Sequence, residues 1–445
     1  MKLSRAMVIM NIVQLDSGYC CGEALNLDTI EPFLFEKGGR WHARLEGLTL
    51  SSVFQPIFSP AHQQCVGMEA LVRVQDNLGN AISPPRLFAG KNRQRIVLAD
   101  RICRLLHGKN YLVLQQEALW LTLNIAHEVA VHGRCYGPFL KNALASLAIP
   151  PESIVLEIME HPVGDHQLLD AAVDFYRNMG CHIALDDFGA GRSHFDRVWR
   201  LNPHMVKLDR NLIAHAKENP RIRHIFRGMV SLLQQSGCLV LVEGVECEEE
   251  AVIALQAGAD FIQGYYFARP SPSPSFDFAG WGHLYRNYHR NMALAEERNQ
   301  DRYAILGEVF QGSCDDIGKG KDLWQACKKL LEHPDVLRCF CLTSEGHLLG
   351  EPLFSPHAVR SSPSLMPVVP GRARDNRFRP FLQNARRYPG KTCRTRPYRS
   401  FLQDGLCVTL SRQIRGEESG YGIIFCCDIR EPWFDSDPGL SAGGS

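Results

Sequence analysis

The feature that most constrains the fold of this chain is a series of eight short, β-rich apolar runs between residues 50 and 270. Stretches with helical periodicity separate most of the runs; in LLDAAVDFYRNMG, apolar residues recur at intervals of three and four, and Gly180 is placed to end the helix. The runs are VFQPIF (53–58), VGMEALVRV (66–74), LTLNI (121–125), IVLEI (154–158), HIALDDF (182–188), MVKLD (205–209), CLVLVEGV (238–245) and FIQGYYF (261–267). Strands that alternate with helices predict a β/α barrel, and a doubly wound open sheet is the alternative.

Only a short turn joins the first two runs, so we predict that they pair antiparallel, unlike the strands of a regular barrel. The predicted fold class is therefore α/β, a (β/α)8 TIM-like barrel with an antiparallel first strand. The whole chain has 445 residues. Because a single hydrophobic core rarely grows beyond about 300 residues, we expect a second domain.

The charge balance and the cysteines narrow the functional classes. Lys and Arg number 49 against 48 Asp and Glu, so no whole-chain field favours a nucleic-acid polymer, and we expect none as a partner. The 16 cysteines form neither a paired CxxC zinc pattern nor a compact secreted framework, and Cys181 and Cys238 lie inside apolar runs. This usage is typical of reduced thiols in the cytoplasm. No run of about 20 apolar residues is present, so we predict no membrane span.

Polar residues that lie within or near the end of seven different runs indicate a functional site. In a β/α barrel the carboxyl ends of the strands converge on one mouth, where active sites are found. A single acid at a strand end would be ordinary, because strand ends lie near polar loops. Seven runs that share this feature favour a site; the residues are Glu69, Asn124, Glu157, Asp186 with Asp187, Lys207, Glu243 and Gln263.

The chemistry of this set indicates divalent cations. Five carboxylates gathered in one barrel mouth raise one another's pKa values and destabilise the fold unless cations pair with them. Oxygen ligands with one Asn, and without clustered His or Cys, favour Mg2+ or Mn2+ over zinc or copper. Two such ions about 3.5 to 4 Å apart clamp the attacking and leaving oxygens in phosphoryl hydrolysis, and one of Asp186 and Asp187 can bridge them. Lys207 would hold the attacking water, neutralise a phosphate oxygen or stabilise the carboxylates.

The segment VFQPIFSPAHQQCVGMEALVRV resembles the start of the EAL domain, the family of cyclic di-GMP phosphodiesterases, which takes its name from the residues at Glu69, Ala70 and Leu71. The resemblance continues in order and at similar spacing through LNIA, LEIMEHP, DDFGAG, VKLD, VEGVE and QGYYFARP, and it covers roughly residues 48–270. It implies a barrel that binds cyclic di-GMP across its mouth and hydrolyses one phosphodiester bond to linear pGpG, with two ions of Mg2+ or Mn2+.

The resemblance also implies roles for the matched residues. One metal ion would be held by Glu69, Asn124, Glu157 and Asp186, and the second by Asp186, Asp187 and Glu243. Catalytic roles fall to Lys207, Glu243, Glu69 and Asp187. Lys207 matches the lysine that contacts the nucleophilic water, and Glu243 with Gln263 completes the shell of the second metal and the water. Whether Glu243 is the general base stays open.

Further residues match the substrate site and the loop after the two aspartates. Cyclic di-GMP would contact Gln55, Leu71, Arg73, Gln263 and Pro270, with Arg73 on a phosphate. Glu160 matches the glutamate that anchors the loop. In this family that loop lies near a dimer interface, so we expect a homodimer formed through the barrel.

A catalytically inactive EAL-type receptor for cyclic di-GMP is the alternative, since some EAL domains have lost catalysis. Degenerate members usually lack a metal ligand or the loop glutamate, and this sequence lacks neither. Its departures lie elsewhere: Arg192 and His194 stand where the family commonly has Tyr and Ser, and His204 stands where an Asp is often found. A third class, an adaptor that uses the barrel only to bind proteins, predicts neither binding nor turnover.

The flanks of the barrel predict a regulatory part. We divide the chain into an N-terminal segment (1–47), the EAL barrel (48–275), a linker helix (276–300), a regulatory domain (301–435) and a flexible tail (436–445). VLRCFCLTSEGHLLG and GLCVTLSRQIRGEESGYGIIFCCDI predict two β-hairpins, and the region is similar to α+β sensory domains of the PAS/Cache-like type, which have a five-stranded sheet. Such a domain would bind an unidentified small ligand or protein. Arg396 and Tyr398 are its candidate pocket residues, with packing or surface roles as an equal alternative.

Overall fold

The structure is a computed structural model, and it describes residues 25–90, 92–114, 119–126, 129, 138–159, 166–190, 195–275, 281–358, 376–399, 406–415 and 422–430. The chain forms two compact units, Met1–Tyr288 and His289–Ser445. Each unit has its own β-sheet and its own hydrophobic core.

The first unit is built around a closed barrel of eight strands. The strands of this unit are β1 (Leu34–Lys37), β2 (Arg40–Leu45), β3 (Leu48–Ser59), β4 (Gln64–Gln75), β5 (Ala81–Ile82), β6 (Trp120–Ile125), β7 (Ile154–Met159), β8 (His182–Phe188), β9 (Met205–Leu208), β10 (Leu239–Val242) and β11 (Phe261–Ile262). From β4 through β6 to β11 each strand pairs in parallel with the next, and β3 pairs antiparallel with both β4 and β11, which closes the ring. The predicted barrel with an antiparallel first strand is confirmed, and the open-sheet alternative is wrong.

Helices alternate with the parallel strands, as their periodicity predicts. The described helices of this unit are α1 (Leu27–Ile30), α2 (Arg93–Val113), α3 (Phe139–Leu147), α4 (His166–Asn178), α5 (Phe195–Leu201), α6 (Arg210–Glu218), α7 (Pro220–Gln235) and α8 (Glu248–Ala257). Their first residues follow side chains that favour helix starts: the Asn92 side chain accepts a hydrogen bond from the N–H of Arg95, and Asn219 caps α7 just before Pro220. Among the described residues of this unit, 3-10 turns lie at Glu31–Phe33, Pro84–Leu87 and Pro151–Ser153.

Alternation along the strands decides which side chains face the barrel interior. An apolar cluster fills one end of the interior; it comprises Ile57, Val155, Ala184, Met205, Leu241 and Phe261. The residues two positions further along the parallel strands share that orientation and are polar; they are Glu157, Asp186, Lys207, Glu243 and Gln263. On the antiparallel β3 the polar residue, Gln55, lies two positions before Ile57. The interior is therefore apolar at one end and polar at the mouth.

The second unit is an antiparallel sheet with helices on both faces. Its strands are β12 (Val336–Thr343), β13 (Leu348–Phe354), β14 (Cys393–Arg394), β15 (Tyr398–Arg399), β16 (Leu406–Arg415) and β17 (Gly422–Arg430). Its described helices are α9 (Trp281–Gly318), α10 (Leu323–Leu331) and α11 (Pro380–Arg387). The boundary between the two units falls within the sequence of α9. The strand order is β13-β12-β17-β16-β14, and β15 also pairs with β16. Both predicted hairpins are confirmed, as β12 with β13 and β16 with β17.

The two faces of this sheet bury alternate residues of the same strands. On one face, Phe425 of β17 stacks on Phe310 of α9, with ring centroids 5.0 Å apart, and the core continues to Leu330 of α10. On the other face, the neighbouring Cys426 packs in a separate cluster with Phe381 of α11. The period of two along β17 thus gives the sheet two cores.

Two sequence predictions concern the chain as a whole. In the part that the structure describes, no helix combines the length and the apolarity that crossing a membrane requires. Every cysteine among the described residues is a free thiol, and Cys181 and Cys238 are buried, as expected for small apolar side chains.

Candidate active site

The polar residues of the barrel strands meet at one end of the barrel, as the sequence predicts. The parallel strands bring their carboxyl ends to the same side. Register then places specific residues beside each other: Asn124 on β6 is level with Glu157 on β7, and Gln55 on β3 is opposite Glu69 on β4.

Lys207 lies at the centre of this group. Its side chain is 1% exposed, and its Nζ contacts four carboxylates: Glu157 Oε1 at 2.7 Å, Glu243 Oε1 at 2.7 Å, Asp186 Oδ1 at 3.1 Å and Glu69 Oε1 at 3.7 Å. Burial acts to lower the pKa of Lys207, but the four carboxylates together raise it well above its ordinary value. Lys207 is therefore a permanent cation at the mouth.

We call Glu69, Glu157, Asp186, Asp187 and Glu243 the carboxylate ring. Burial raises the pKa of Glu157 well above its ordinary value, and the neighbouring carboxylates add to this effect while Lys207 opposes it. Burial also raises the pKa of Glu243 to about 8, and it raises the pKa of Asp187, with the charge of Asp186 adding to the shift. One lysine therefore does not balance the ring, and part of the ring is protonated at neutral pH unless another cation is bound.

The backbone at the end of β8 brings the adjacent Asp186 and Asp187 close to a third acid, Glu243. Asp187 has a φ of 55°, in the left-handed region, and the register between β8 and β9 shifts between Leu185 and Phe188. Asp186, Asp187 and Glu243 each offer an oxygen, and these oxygens lie within 4.8 Å of one another. The irregular strand end thus turns two neighbouring acids and a third from β10 towards one point.

Two amide side chains hold Glu69 at the mouth. Gln263 Nε2 donates to Glu69 Oε2 at 2.8 Å, and Asn124 Nδ2 donates to Glu69 Oε1 at 3.4 Å. Gln263 is buried, whereas Asn124 is exposed. Gln55 is buried beside them and donates from Nε2 to the carbonyl of Ala268 at 3.3 Å.

The other residues predicted to contact the substrate lie further out. Arg73 is exposed at the end of β4 and donates from Nη1 to the carbonyl of Val72 at 3.1 Å. Leu71 and Pro270 are half-buried. Glu160, Arg192 and His194 lie outside the residues that the structure describes.

His204 lies at the end of the barrel opposite the mouth. It directly precedes β9, its Nδ1 accepts from the N–H of Ile183 at 3.1 Å, and its ring is 5.0 Å from that of His182. Burial lowers its pKa, and the nearby His182 and Arg177 act in the same direction. This departure from the family pattern is therefore remote from the carboxylate ring.

The first turn of α6 packs against two glycines that follow ring residues. Gly189 has a φ of +101°, and a Cβ there would lie 2.1 Å from Leu212 Cδ1. Gly244 has a φ of +64°, and a Cβ there would lie 2.2 Å from Arg210 Cβ. Only glycine combines these backbone angles with such close approach, so α6 fixes the turns after Asp187 and Glu243.

Two buried acids that sequence reasoning missed support the site from outside the barrel. Asp100 on α2 accepts from the N–H of Ala126 at 3.0 Å, two residues beyond Asn124, and contacts Arg104. Glu250 on α8 accepts from the N–H of Glu246 at 2.8 Å, three residues beyond Glu243. A local signal existed only for Glu250, which is one of three acids in the first turn of α8, where negative charge favours a helix start.

The donor set fits hard divalent cations. Among the described residues, both carboxylate oxygens of Glu157 and Oδ1 of Asp186 are buried without a hydrogen bond of good geometry, although Lys207 lies close. Unsatisfied buried carboxylate oxygens cost stability unless a cation coordinates them. Oxygen donors without His or Cys suit Mg2+ or Mn2+.

Comparison with known proteins identifies the family. The sequence profile of the EAL domain matches residues 40–270, which is more than half of the chain. The chain belongs to the EAL domain family. The family predicted from the motifs is thereby confirmed.

Individual EAL relatives match parts of the chain. The cyclic di-GMP phosphodiesterase RocR of Pseudomonas aeruginosa is 34% identical over 162 residues, 35% of this chain and 40% of RocR. The EAL-domain protein YkuI of Bacillus subtilis is 30% identical over 228 residues, 49% of this chain and 54% of YkuI. The chain thus spans about half or less of the length of these curated relatives.

A solved structure resembles the fold over a longer stretch. The crystal structure of Bacillus subtilis YkuI, in complex with cyclic di-GMP and calcium, has a TM-score of 0.68 at 23% identity, covering 86% of this chain and 96% of that chain. This coverage exceeds the length of the barrel unit, so the likeness in fold extends into the second unit.

Proposed function

We propose that this EAL chain is a metal-dependent phosphodiesterase that hydrolyses cyclic di-GMP to linear pGpG. The observation that carries the proposal is the excess of negative charge at the barrel mouth, where five buried or half-buried carboxylates meet one lysine. The name of the relative RocR, a cyclic di-GMP phosphodiesterase, and the substrate in the YkuI complex support the choice of substrate.

Two cations would occupy the mouth. Glu69, Asn124, Glu157 and Asp186 would hold one, and Asp186, Asp187 and Glu243 would hold the other. Mg2+ or Mn2+ bound there would activate a water molecule and neutralise the charge on the scissile phosphate. The convergence of Asp186, Asp187 and Glu243 within 4.8 Å supports the second set.

The protein's own groups position the reaction. Lys207 holds the carboxylates of the ring and would contact the attacking water. Glu243, whose Oε1 lies 2.7 Å from Lys207 Nζ, would take the water's proton on a carboxylate oxygen. Gln263 and Asn124 keep Glu69 in place.

Cyclic di-GMP would lie across the mouth, close to the residues predicted to bind it. Gln55 and Gln263 are buried in the mouth, and Leu71 and Pro270 lie nearer the surface. The exposed Arg73 would pair with a phosphate, for which its planar fork is suited.

The test is incubation of the purified full chain with cyclic di-GMP and Mn2+, with pGpG measured by chromatography. We expect pGpG from the wild type and none above background from Glu69→Ala. Glu152→Gln, which neutralises an exposed carboxylate before β7, is the matched control and should keep full turnover. Binding of cyclic di-GMP in Ca2+ without turnover in Mn2+ would instead identify a receptor, and the absence of both would identify an adaptor.

We also propose that the second unit is a regulatory domain of the PAS/Cache-like type, within residues 301–435, and that the chain forms a homodimer in the cytoplasm. An antiparallel sheet with helices on both faces supports the first statement, and the free thiols support the last. Light scattering of the full chain with and without cyclic di-GMP tests the dimer. A monomer at micromolar concentration under both conditions would refute it.

A further inference from the structure

Residues 376–399 of the second unit concentrate positive charge. Eight of the chain's 49 Lys and Arg residues lie in this stretch of 24, and none of its 48 Asp and Glu residues does. The net charge of the whole chain is near zero, which is why the sequence predicts no nucleic-acid partner. The positive charges are nevertheless concentrated in this stretch. Binding of a polyanion depends on the local field, so the whole-chain balance does not exclude it.

We define the basic strip as Arg386, Arg387, Lys391, Arg394 and Arg396. All five side chains are exposed. Within the described ranges, none of the five has a carboxylate at salt-bridge distance. Arg386 and Arg387 lie in the last turn of α11, where cations interact favourably with the helix dipole, but that explanation does not apply to the other three.

The basic strip follows α11 and continues along the edge strand β14. Ser411 Oγ donates to the carbonyl of Phe381 at 2.8 Å, and Cys393 Sγ donates to the carbonyl of Asn384 at 3.5 Å. These bonds hold α11 on the sheet with its apolar side chains buried. The charged side chains are consequently left on the outside of a fixed scaffold, and the basic strip turns around the sheet edge, because Arg394 lies on the face of α9 with its guanidinium 4.4 Å from the centre of the Tyr303 ring.

An exposed aromatic ring lies within the basic strip. Tyr388 is 47% exposed, and the guanidinium of Arg387 is 5.6 Å from the centre of its ring. Four of the five cations are arginines, which bind phosphates in a bidentate manner and stack on aromatic or base planes. Arginines interleaved with an exposed ring are the combination that binds unpaired bases together with their phosphates.

A membrane surface fits the basic strip less well. Stable attachment to a bilayer needs apolar side chains that insert beside the charges. The apolar side chains of α11, Phe381 and Leu382, are buried in the core. Phe378 is 80% exposed two positions before α11, and a single ring there suits stacking better than anchoring.

We propose that the basic strip binds single-stranded nucleic acid, with the arginines on consecutive phosphates and Tyr388 stacked on an unpaired base. The proposal concerns the second unit and does not depend on hydrolysis at the barrel mouth.

The test is fluorescence anisotropy of the full chain with labelled oligouridylate and oligothymidylate of about 16 nucleotides, titrated at several salt concentrations. The strip variant combines Arg386→Gln, Arg387→Gln and Arg396→Gln. The matched control combines Lys319→Gln, Lys328→Gln and Lys329→Gln, three exposed cations of the same unit. Circular dichroism checks that both variants are folded.

We expect the strip variant to bind at least about tenfold more weakly and to lose about 2 units from the slope of log affinity against log salt, as three lost phosphate contacts require. The control should stay within about twofold of the wild type. Tyr388→Ala should weaken binding by about tenfold with an unchanged slope, and Tyr388→Phe should restore it. Tighter binding of oligouridylate would identify RNA as the preferred ligand. Equal binding of the two oligonucleotides would show that the basic strip recognises the phosphate backbone that RNA and DNA share.

Three outcomes would overturn the proposal: no binding of either oligonucleotide at about 0.1 M salt, equal weakening in the strip and control variants, or binding to phosphatidylserine vesicles that the strip variant loses while no oligonucleotide binds. Cyclic di-GMP hydrolysis, measured in the same samples, should be equal in the wild type and the strip variant.

Discussion

Two buried ionic clusters, one in each unit, differ in how completely their charges are balanced. In the second unit, Asp428 accepts from Arg338 Nε at 2.6 Å and from Thr409 Oγ1 at 2.7 Å, and Tyr398 Oη lies 2.6 Å from Thr409 Oγ1. Arg338 and Asp428 face each other on β12 and β17, so one carboxylate meets one guanidinium. In the carboxylate ring of the first unit there are five acids and one lysine, and Lys207 contacts four of the acids.

This difference shows that unbalanced charge, rather than burial, distinguishes a site that needs a ligand from a network that is purely structural. The Asp428 cluster is complete without any added group. The carboxylate ring is not, because Glu157 and Asp186 keep buried oxygens without hydrogen bonds in the described structure. Tyr398, predicted to line a pocket, is engaged in the complete cluster, and Arg396 belongs to the exposed basic strip.

Neutralising one acid in the carboxylate ring should produce the largest effect. Glu243→Gln is expected to lower the rate of pGpG formation by about 10²–10⁴-fold, the range for loss of a general base. The same variant should raise the thermal midpoint of the metal-free protein, because it removes a buried carboxylate whose pKa is raised. Chromatography and thermal melting measure the two effects. Full turnover in this variant would exclude Glu243 from the reaction.

Neutralising the acid of the balanced cluster should affect stability instead. Asp428→Asn leaves Arg338, whose side chain is only 12% exposed, without a counter-charge, so we expect a loss of about 3 kcal/mol in the free energy of unfolding of the second unit. Hydrogen exchange of the β16 and β17 amides reports this locally. Arg415→Gln, at an exposed position at the end of β16, is the control and should leave exchange unchanged. Equal protection in Asp428→Asn would contradict the structural role.

His107 adds a third case, a buried group that stays neutral. Its Nδ1 lies 2.8 Å from Ser52 Oγ, and burial lowers its pKa from 6.5 to about 3. Between these values the unfolded chain binds a proton that the folded chain does not, so stability is complete above pH 6.5 and falls as the pH drops. The expected slope is about 1.4 kcal/mol per pH unit. Urea titrations from pH 7 to pH 5 should show this loss of stability in the wild type and not in His107→Gln. If the free energy of unfolding depends on pH equally in both proteins, His107 is not the cause.

An exposed ion pair should matter least. Arg177 Nη1 lies 3.1 Å from Asp174 Oδ1, with 32% and 65% of the side chains exposed. Water already solvates both charges, so Asp174→Asn should change the free energy of unfolding by less than about 0.5 kcal/mol in urea titrations. A loss as large as that expected for Asp428→Asn would mean that exposure does not separate the two pairs.

The sequence predicts the barrel because each strand carries its own β-rich run, and the polar residues of the mouth follow from the period of two. The sequence overestimates the length of the last two strands. β10 ends at Val242 and β11 at Ile262, whereas the apolar runs continue to residues 245 and 267. Beyond Val242 the chain turns at Gly244, whose φ is positive. Local propensity does not reveal where the backbone leaves the sheet.

The sequence predicts which polar residues lie at the strand ends of the barrel mouth, but it does not predict their contacts. That Lys207 reaches four acids depends on the register of five strands, its own and four others, which no local pattern specifies. Asp100 supports the end of β6 from a helix, and nothing near it in sequence marks this role. Long-range packing decides these contacts.

The close packing of α6 against two glycines has a consequence for how related sequences can diverge. A methyl group at position 189 would meet the flexible end of Leu212, so a smaller residue at 212 would relieve that contact but not the strain of the positive φ. A methyl group at 244 would meet Arg210 Cβ and lie 3.1 Å from its Cα, so even glycine at 210 would leave a tight contact with the backbone of α6. The backbone angles therefore restrict both positions to glycine in related sequences, and a change at position 212 would remove only the steric part of the restriction at 189.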